Sequence, residues 1–366
     1  MEIERSKTRG LCAPGVIYRF LLRQSCGKIR KTSGSATGKE EAAVLTEREN
    51  FLKALRGEVP EYVPRYNIFW RVPLSPLSGS RVNGIGKDIY GVEWTNEGSA
   101  FEASLPKPGN FILDDIRRWS DLIKFPDLSD VDWEAASKID LKDRDPLVPR
   151  GGGTAVGGFF QNVMNFMGFT EGLIACHEEP EEVKALVNYL CDCFLSYSEE
   201  VLKYYQPDYI MFADDIATER SPFISLECFR DIFAPVWRRY IKFFVDRGYL
   251  CVHHNCGHFE AFLDDVVDMG YKAWEPAQAS NDIVSLKKKY GNKFMICGGF
   301  DPLPFLPHMN ATEEQIRGAV KKLLDQMAPN GGYAFLGGVL GDGNPVAKQR
   351  TAWIMDEYEK LKTTYY

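Results

Sequence analysis

The 366-residue sequence lacks long apolar runs, and no stretch of 18 consecutive apolar residues occurs in it. A membrane-spanning helix needs about 20 such residues, so we predict that the chain contains none. A disulfide framework is also missing, because the nine cysteines are scattered and odd in number. Cysteines of this kind are typical of reduced thiols, and we therefore predict a cytoplasmic protein.

Two ligand-binding signatures are missing as well. No basic patch stands out in the body of the chain, which argues against nucleic acid as a partner. No Gly-x-Gly-x-x-Gly motif follows the first predicted strand, so a dinucleotide-binding Rossmann domain has little support. With 45% hydrophobic residues, the chain can nevertheless bury a large core. Its 13% aromatic residues suit a pocket for a flat organic ligand and equally suit an ordinary core.

Charge is distributed unevenly along the chain, whose formal net charge is −7. The first 39 residues contain nine Lys or Arg and two acidic residues, and residues 33–38 (Ser-Gly-Ser-Ala-Thr-Gly) resemble a flexible linker. Folded sequence is predicted to begin near Thr46, because Thr46 and Glu49 have the spacing of a helix capping box. We therefore expect residues 1–45 to form a basic, disordered extension and residues 46–366 to form one domain.

Predicted strands and helices alternate along the chain, which is typical of a parallel sheet flanked by helices. The predicted strands are 66–70, 155–160, 209–213, 249–255, 272–275, 294–297 and 333–336, with a further β excursion at 88–95. The predicted helices are 116–122, 180–205, 225–246, 259–269, 282–290, 312–328 and 347–362. Because the strand count approaches eight, we predict an α/β fold with a single TIM (β/α)8 barrel rather than a doubly wound sheet.

The most specific motif is His254-x-Cys256, at the end of the predicted strand 249–255. Side chains alternate between the two faces of a strand, so Val252, His254 and Cys256 share one face. Imidazole and thiolate are ligands that zinc accepts, and two such groups one residue apart can reach the same ion. The alternative is a buried cysteine beside a hydrogen-bonded histidine, because a zinc site needs three or four ligands.

Other polar residues also follow the predicted strands. Active sites of TIM barrels lie at the carboxyl ends of the strands. Carboxylates, histidine and cysteine at the ends of four consecutive strands together indicate an active site. At these ends the chain has Arg71, Asp214, Asp215, His254, Cys256, Glu275, Gln278, Cys297 and Asp301.

Taken singly, these residues also have structural interpretations. An Asp-Asp pair after a strand, as at Asp214 and Asp215, can cap a helix N-terminus. Glu275 can be a solvated loop acid, and Asp301, which precedes a proline, can be a turn residue. The glycine-rich segment 337–343 can hold a phosphate or a carboxylate, or it can simply form a tight barrel loop.

Several motifs resemble those of the uroporphyrinogen decarboxylase superfamily. The resemblance covers about residues 46 to 362, is densest between about 208 and 340, and implies a single distorted TIM barrel. The motifs that carry it are Phe-Ala-Asp-Asp at 212–215, Ser-Pro at 221–222, Phe-Arg-Asp-Ile-Phe-Ala-Pro-Val-Trp at 229–237, His-Asn-Cys-Gly at 254–257, Gly-Gly-Phe-Asp-Pro at 298–302 and Gly-Gly-Tyr at 331–333.

The superfamily has two main branches. True uroporphyrinogen decarboxylases need no cofactor; they carry an early Arg-Gln-Ala-Gly-Arg motif that binds substrate carboxylates and a histidine in the loop after the last strand. This chain has Arg-Val-Pro-Leu-Ser at 71–75 and Gly-Gly-Val-Leu at 337–340, which argues against that substrate. The other branch contains cobalamin-dependent methyltransferases, whose His-x-Cys motif this chain shares.

Zinc enzymes of the methyltransferase branch use His-x-Cys and a third cysteine in the last strand's loop. His254 and Cys256 match this pattern, whereas Val339 lies where the late cysteine is expected. The third ligand could instead come from Cys297, Glu275, Asp214 or Asp215. The resemblance thus implies a methyltransferase of O-demethylase type that moves a methyl group between a methyl ether or thiol and a corrinoid on a separate protein.

These considerations define the candidate site. The catalytic candidates are Asp214, Asp215 and Glu275, the substrate-binding candidates are Arg71, Asn162, Gln278 and Asp301, and the metal-binding candidates are His254, Cys256 and Cys297. The expected cofactors are zinc and the partner protein's corrinoid. Two alternatives stay open: a decarboxylase of the uroporphyrinogen type in porphyrin and heme biosynthesis, and a non-catalytic barrel that binds a ligand.

Overall fold

The computed structural model of the chain describes residues 44–82, 84–96, 104–153, 157–339, 341 and 343–366. The predicted basic extension, residues 1–45, lies almost entirely outside the described residues and stays a prediction. Seven cysteines fall within the described ranges, and all seven are free thiols. None of the described helices is long and apolar enough to cross a membrane.

A small antiparallel sheet precedes the main one along the chain. The Asp88 carboxylate holds its central turn, because it accepts hydrogen bonds from the N–H groups of Tyr90 and Val92 and from Trp94 Nε1. The β excursion predicted at 88–95 is confirmed in part: residues 93–95 form a strand, and residues 88–92 form the turn that precedes it. The strands of this sheet are β1 (Gly86–Lys87), β2 (Glu93–Thr95) and β3 (Leu105–Pro106).

The central sheet of the described chain contains six parallel strands, each hydrogen-bonded to the next one along the sequence. Helices alternate with these strands, and the chain folds as a single α/β barrel of the TIM type, as predicted. The strands are β4 (Gly151–Gly153), β5 (Tyr209–Ala213), β6 (Cys251–His254), β7 (Ala273–Ala277), β8 (Met295–Gly298) and β9 (Tyr333–Ala334).

One irregular segment joins the two edges of this sheet. Arg65 forms a parallel bridge with Phe335, next to β9, and Arg71 forms one with Gly151 of β4. Backbone hydrogen bonds of 2.8 Å accompany both bridges. Residues 65–71 thus lie between the first and last strands of the sheet and close the barrel.

Two predicted strands are wrong in detail. The first, 66–70, is the irregular closing segment, in which Ile68–Trp70 form one turn of 3-10 helix. The second, 155–160, comes too late: the strand is β4, residues 154–156 lie outside the described part, and Phe159 already begins a helix. Three consecutive glycines have no side chains that could show a strand's alternation, which hides β4 in the sequence. The described barrel wall therefore has six strands and one irregular segment rather than eight strands.

The helices agree with the prediction from residue 180 onward, whereas the helices Trp133–Leu141, Phe159–Met167 and Phe169–Glu178 were not predicted. The capping box of Thr46 and Glu49 is present at the start of the first helix. Single π-helical turns, Val201–Tyr205 and Phe229–Phe233, follow α6 and α7. The helices are α1 (Glu47–Leu55), α2 (Trp119–Leu122), α3 (Trp133–Leu141), α4 (Phe159–Met167), α5 (Phe169–Glu178), α6 (Pro180–Glu200), α7 (Leu226–Cys228), α8 (Ala234–Val245), α9 (Leu263–Met269), α10 (Ile283–Tyr290), α11 (Glu313–Met327) and α12 (Pro345–Leu361).

The strands bury two separate layers of side chains. Those facing outward pack against the helices, and those facing inward form a smaller core inside the barrel. Phe51 and Leu55 of α1 belong to this inner core together with Tyr209. Arg48 of α1 also pairs with Asp208, directly before β5. Helix α1 therefore covers the amino-terminal end of the barrel and leaves the carboxyl ends of the strands for a site.

Asp214 fastens helix α4 to the carboxyl end of β5. Its Oδ2 accepts hydrogen bonds from the N–H groups of Phe159 and Phe160 at 2.9 and 3.0 Å, and its Oδ1 accepts one from the Gln161 N–H at 2.9 Å. Trp237 Nε1 of α8 donates to Oδ2 at 2.8 Å. The first N–H groups of a helix have no partner within the helix, so this carboxylate caps α4 from a neighbouring strand.

We expect Gly158→Ala to lower the free energy of unfolding by about 2 to 4 kcal/mol. A Cβ at this position would collide with the Asp214 carboxylate, so the donors at the start of α4 would lose their acceptor. Urea denaturation followed by circular dichroism measures the change.

Gly318→Ala is the matched control for this substitution. Gly318 is exposed on α11 and no atom lies within 4 Å of the added methyl group, so this change should instead raise the stability by about 0.5 to 1 kcal/mol. Equal stability of Gly158→Ala and the unchanged protein would contradict the capping role of Asp214.

Candidate metal-binding site

Strand β6 presents its side chains alternately to the two layers, as predicted. Val252 lies in the core inside the barrel, and His254 follows on the same face. His253 faces the helices, where it is fully buried with its ring centroid 4.5 Å from that of Trp237. Burial, together with the neighbouring His254, lowers the pKa of His253 well below its usual value. His253 is therefore a neutral packing residue, and His254 is the histidine that faces the barrel interior.

Asp215, His254 and Cys256 meet at the carboxyl ends of β5 and β6. One ligand atom from each residue lies within 4.8 Å of the other two. His254 Nε2 is 3.7 Å from Asp215 Oδ1 and 3.8 Å from Cys256 Sγ. His254 is buried, whereas Asp215 and Cys256 are partly exposed, so the group can be reached from solvent.

The register of the sheet explains this meeting. Ala213 of β5 pairs with His254 of β6, which pairs in turn with Glu275 of β7. Asp215 and Cys256 each lie two residues beyond this level. Because the side-chain period of an extended chain is two residues, both continue the inward face at the open end of the barrel.

Two donors hold the Asp215 carboxylate in place. The Cys256 N–H donates to Oδ1 at 2.7 Å, and Gln161 Nε2 donates to Oδ2 at 3.0 Å. Gln161 lies in the first turn of α4, the helix that Asp214 caps. The position of Asp215 therefore depends on both the β6 loop and helix α4.

Glu275 lies behind His254 and is fully buried, so it is not a solvated loop acid. His254 Nδ1 donates to Glu275 Oε1 at 2.8 Å, and the Tyr66 hydroxyl donates to the same oxygen at 3.0 Å. Burial alone would lower the pKa of His254, but Glu275, Cys256 and Asp215 together raise that pKa well above its usual value. A carboxylate oxygen can only accept a hydrogen bond, so the contact with Glu275 places a proton on Nδ1. Nε2 is the nitrogen directed at Asp215 and Cys256.

The two adjacent acids have different surroundings. Asp214 is fully buried and caps α4, which is the structural interpretation that the sequence left open. Burial raises the pKa of Asp214 to about 7, although the donors Gln161, Phe160 and Trp237 act in the opposite direction. Of the pair, Asp215 is the acid that reaches His254.

Side chains that follow β7 support the loop after Cys256. Gln278 Oε1 accepts a hydrogen bond from the Gly257 N–H at 2.6 Å, and Asn281 Nδ2 donates to the Gly257 carbonyl at 2.9 Å. Gly257 has a φ of 91°, and a Cβ there would collide with the Thr218 carbonyl. The predicted residue Gln278 therefore fixes the backbone of the loop that carries Cys256.

Cys297 is more completely buried than the other metal-binding candidates. It is fully buried in the inner core, and burial, with the nearby Glu275 charge, raises the pKa of its thiol well above the usual value. The structure brings Asp215 instead of Cys297 to His254 and Cys256. A carboxylate, one of the ligands that the sequence left open, is thus the third member of the candidate group.

Arg71 extends from the closing segment into the barrel. Its Nη2 is 3.3 Å from Met211 Sδ, and its Nε is buried without a hydrogen-bond partner. Met211 pairs with Val252, which precedes His254 by two residues on the same face. The guanidinium group therefore lies about one level below His254, and within the described part of the chain it forms no ion pair.

The remaining candidate residues, Asp301 and Asn162, are not members of the group formed by Asp215, His254 and Cys256. Asp301 Oδ1 accepts a hydrogen bond from the Leu303 N–H at 3.0 Å, which is typical of a turn. Asn162 is buried in α4. The Val339 N–H donates to Thr351 Oγ1 at 3.0 Å. Residues 340 and 342 of the late glycine-rich loop lie outside the described part.

Sequence reasoning missed Gln161 and Tyr66, which contact Asp215 and Glu275. The predicted strand 155–160 placed Gln161 in a loop rather than in the first turn of a helix. Tyr66 was predicted only as the first residue of a strand. Neither residue belongs to a motif, so no local signal could have identified them.

The donor set fits a zinc ion. Ligand atoms around a tetrahedral zinc lie about 3.3 to 3.6 Å apart, because the bonds to N, O and S are about 2.0 to 2.3 Å long. The separations from His254 Nε2, 3.7 and 3.8 Å, differ from this by a few tenths of an ångström. Imidazole, thiolate and carboxylate are all zinc ligands, and a carboxylate behind the histidine is common in zinc proteins.

Comparison with known proteins relates this geometry to a family. One solved structure, a methyltransferase from Methanosarcina mazei, has a similar fold: the TM-score is 0.63, the sequence identity is 15%, and the match covers 87% of this chain and 99% of that chain. No curated protein sequence matches this chain significantly. The family model described as uroporphyrinogen decarboxylase (URO-D) matches residues 146–339, more than half of the sequence, including Asp215, His254 and Cys256. The chain therefore belongs to the uroporphyrinogen decarboxylase family.

Proposed function

We propose that the chain is a corrinoid-dependent methyltransferase, which moves a methyl group between a small substrate and a corrinoid on a partner protein. The observation that carries the proposal is the group of Asp215, His254 and Cys256, three zinc ligands at the accessible end of the barrel. The likeness in fold to a methyltransferase supports it. The substrate would be a methyl ether or a thiol.

Zinc bound by these three residues would stabilise the negative charge that develops on the oxygen or sulfur of such a substrate. The chain's own residues prepare the site for this ion. Glu275 keeps a proton on His254 Nδ1, so zinc would displace the proton of Nε2 and bind at that nitrogen. A carboxylate at Asp215 and a thiolate at Cys256 together balance a divalent charge. Three protein ligands also leave a fourth position for the substrate.

The predicted site residues take different roles in this proposal. Asp215 binds the metal, and Glu275 orients His254. Cys297 contributes to the barrel core near Glu275, and Asn162 stays a predicted substrate-binding residue. The others hold backbone segments in place: Asp214, Gln278 and Asp301.

Arg71 is the residue that we assign to substrate binding. Arg71 is partly buried and no acid of the described chain pairs with it, so an anionic group that reached this guanidinium would gain a charge-assisted hydrogen bond. We therefore propose that the methyl ether or thiol also carries an anionic group, such as a carboxylate, which pairs with this guanidinium.

The same observation favours a second candidate function. A partly buried arginine that pairs with no acid of the described residues would equally suit a decarboxylase that acts on an acidic substrate, the reaction for which the family is named. This candidate needs neither zinc nor a corrinoid, so metal content and methyl transfer distinguish the two.

The first experiment measures zinc binding. We expect the unchanged protein to bind a single zinc ion and His254→Ala to bind zinc at least about 100-fold more weakly, because it removes a direct ligand. Competition with a chromophoric chelator and elemental analysis give the affinity and the stoichiometry. His258→Ala is the matched control, since His258 instead contacts the Ser280 carbonyl. Equal zinc binding by the two variants would contradict the proposed site.

The second experiment measures methyl transfer. Cob(I)alamin replaces the partner's corrinoid and is incubated with methoxylated aromatic acids; methylcobalamin is incubated with simple thiols in a parallel reaction. We expect a change in cobalamin absorbance with the zinc-loaded protein that disappears in His254→Ala. Uroporphyrinogen is tested under the same conditions, and its decarboxylation without any methyl transfer would establish the second candidate instead.

The third experiment tests Arg71. We expect Arg71→Gln to raise the KM for an anionic substrate about 10- to 100-fold, because a hydrogen bond to a charged group is worth about 1.5 to 3 kcal/mol. Zinc content should not change, since Arg71 lies below the metal ligands. An uncharged analogue of the same substrate is the control, and its KM should be the same for both proteins. An equal rise in KM for both substrates would contradict the assignment.

A further inference from the structure

Tyr66 has a fixed position inside the barrel. Its side chain is 2% exposed, and its ring lies 6.0 Å from that of Phe51 and 6.1 Å from that of Trp70, measured between centroids. Phe51 belongs to α1, the helix that covers the amino-terminal end of the barrel. The ring is therefore held by aromatic neighbours on the side away from the metal-binding group.

The hydroxyl of Tyr66 points to the opposite side, where it meets Glu275. It donates to Glu275 Oε1 at 3.0 Å, and His254 Nδ1 donates to the same oxygen at 2.8 Å. The other carboxylate oxygen, Oε2, is buried without a hydrogen-bond partner. Tyr66 and His254 thus supply the hydrogen bonds that orient this carboxylate within the described structure.

This arrangement matters because a carboxylate can rotate about its side-chain bonds. Fixing Oε1 from two directions fixes the oxygen toward which the His254 ring must turn. The ring orientation in turn decides where Nε2 points, at 3.7 Å from Asp215 and 3.8 Å from Cys256. Phenylalanine would make the same ring contacts with Phe51 and Trp70, so Tyr66→Phe removes only the hydroxyl, which contacts Glu275 and Tyr209.

We infer that Tyr66 is a positioning residue of the metal site, which acts through Glu275 to hold His254 in the orientation that binds zinc. The inference rests on the metal site of the proposed function. It does not depend on which substrate is methylated or on whether the corrinoid reaction occurs.

The test is the zinc affinity of Tyr66→Phe, measured by competition with a chromophoric chelator. Partners of a metal-bound histidine typically change metal affinity by about 10- to 100-fold, and we expect a loss of about tenfold, because Tyr66 acts through one intermediate residue. The stoichiometry should stay the same, since all three ligands remain.

Tyr333→Phe is the matched control. Tyr333 is also fully buried, and its hydroxyl donates to the Gly298 carbonyl at 2.7 Å, in the layer that faces the helices. The control therefore loses a comparable buried hydrogen bond away from the metal-binding group. It should destabilise the fold to a similar extent in urea denaturation and leave the zinc affinity unchanged.

A double-mutant cycle with Glu275→Gln separates positioning from a general structural effect. If Tyr66 acts through Glu275, Tyr66→Phe should cost about tenfold in zinc affinity in the unchanged protein and almost nothing in the Glu275→Gln background. Two outcomes would overturn the inference: equal zinc affinities of Tyr66→Phe and Tyr333→Phe, or the same loss in both backgrounds. If the double-mutant cycle gives the expected zinc affinities but the protein transfers no methyl group, the result would count against the proposed function and leave this inference in place.

Discussion

The hydrogen-bonded register of β5, β6 and β7 places Ala213, His254 and Glu275 at one level of the barrel wall. Parallel pairing makes the carboxyl ends of these strands adjacent, and the two-residue period of extended chain turns their inward side chains toward one another. A shift of either pairing by one residue would turn His254 or Glu275 into the helix layer. The chemistry of the site therefore depends first on backbone pairing and only then on side-chain contacts.

Adjacent residues of the same type show how completely this alternation decides their roles. His253 is enclosed by aromatic rings, whereas His254 faces the inner carboxylate. Asp214 uses its carboxylate to cap α4, whereas Asp215 faces the histidine. In each pair the chemistry of the side chain is the same, and the layer into which it points differs. Of two neighbouring residues on one strand, one is thus a packing residue and the other belongs to the candidate site.

Burial of charge is the second constraint on the barrel interior. A fully buried carboxylate costs several kcal/mol unless donors compensate it, and Glu275 has two donors on one oxygen. Arg71 lies in the same part of the barrel, is partly buried, and has no acidic partner among the described residues. The barrel therefore combines a buried ionic contact between Glu275 and His254 with a partly exposed cation that is available to an anion. A substrate that carries an anion would complete this pattern, which is why substrate charge is part of the proposed function.

Local periodicity in the sequence was sufficient to predict the alternation of strands and helices, the barrel class, and the face shared by His254 and Cys256, because these depend on neighbouring residues. The all-glycine strand β4 and the closing segment 65–71 were missed, since neither has a side-chain pattern that marks a strand. Among several candidate carboxylates, only the pairing of β5 with β6 selected Asp215 as the third member of the group. Gln161 and Tyr66 lie 54 and 209 residues from the acids that they contact. Residues so far apart in the sequence come into contact only when the barrel closes and helix α4 is capped. Both depend on hydrogen bonds between distant residues, which no local sequence pattern shows.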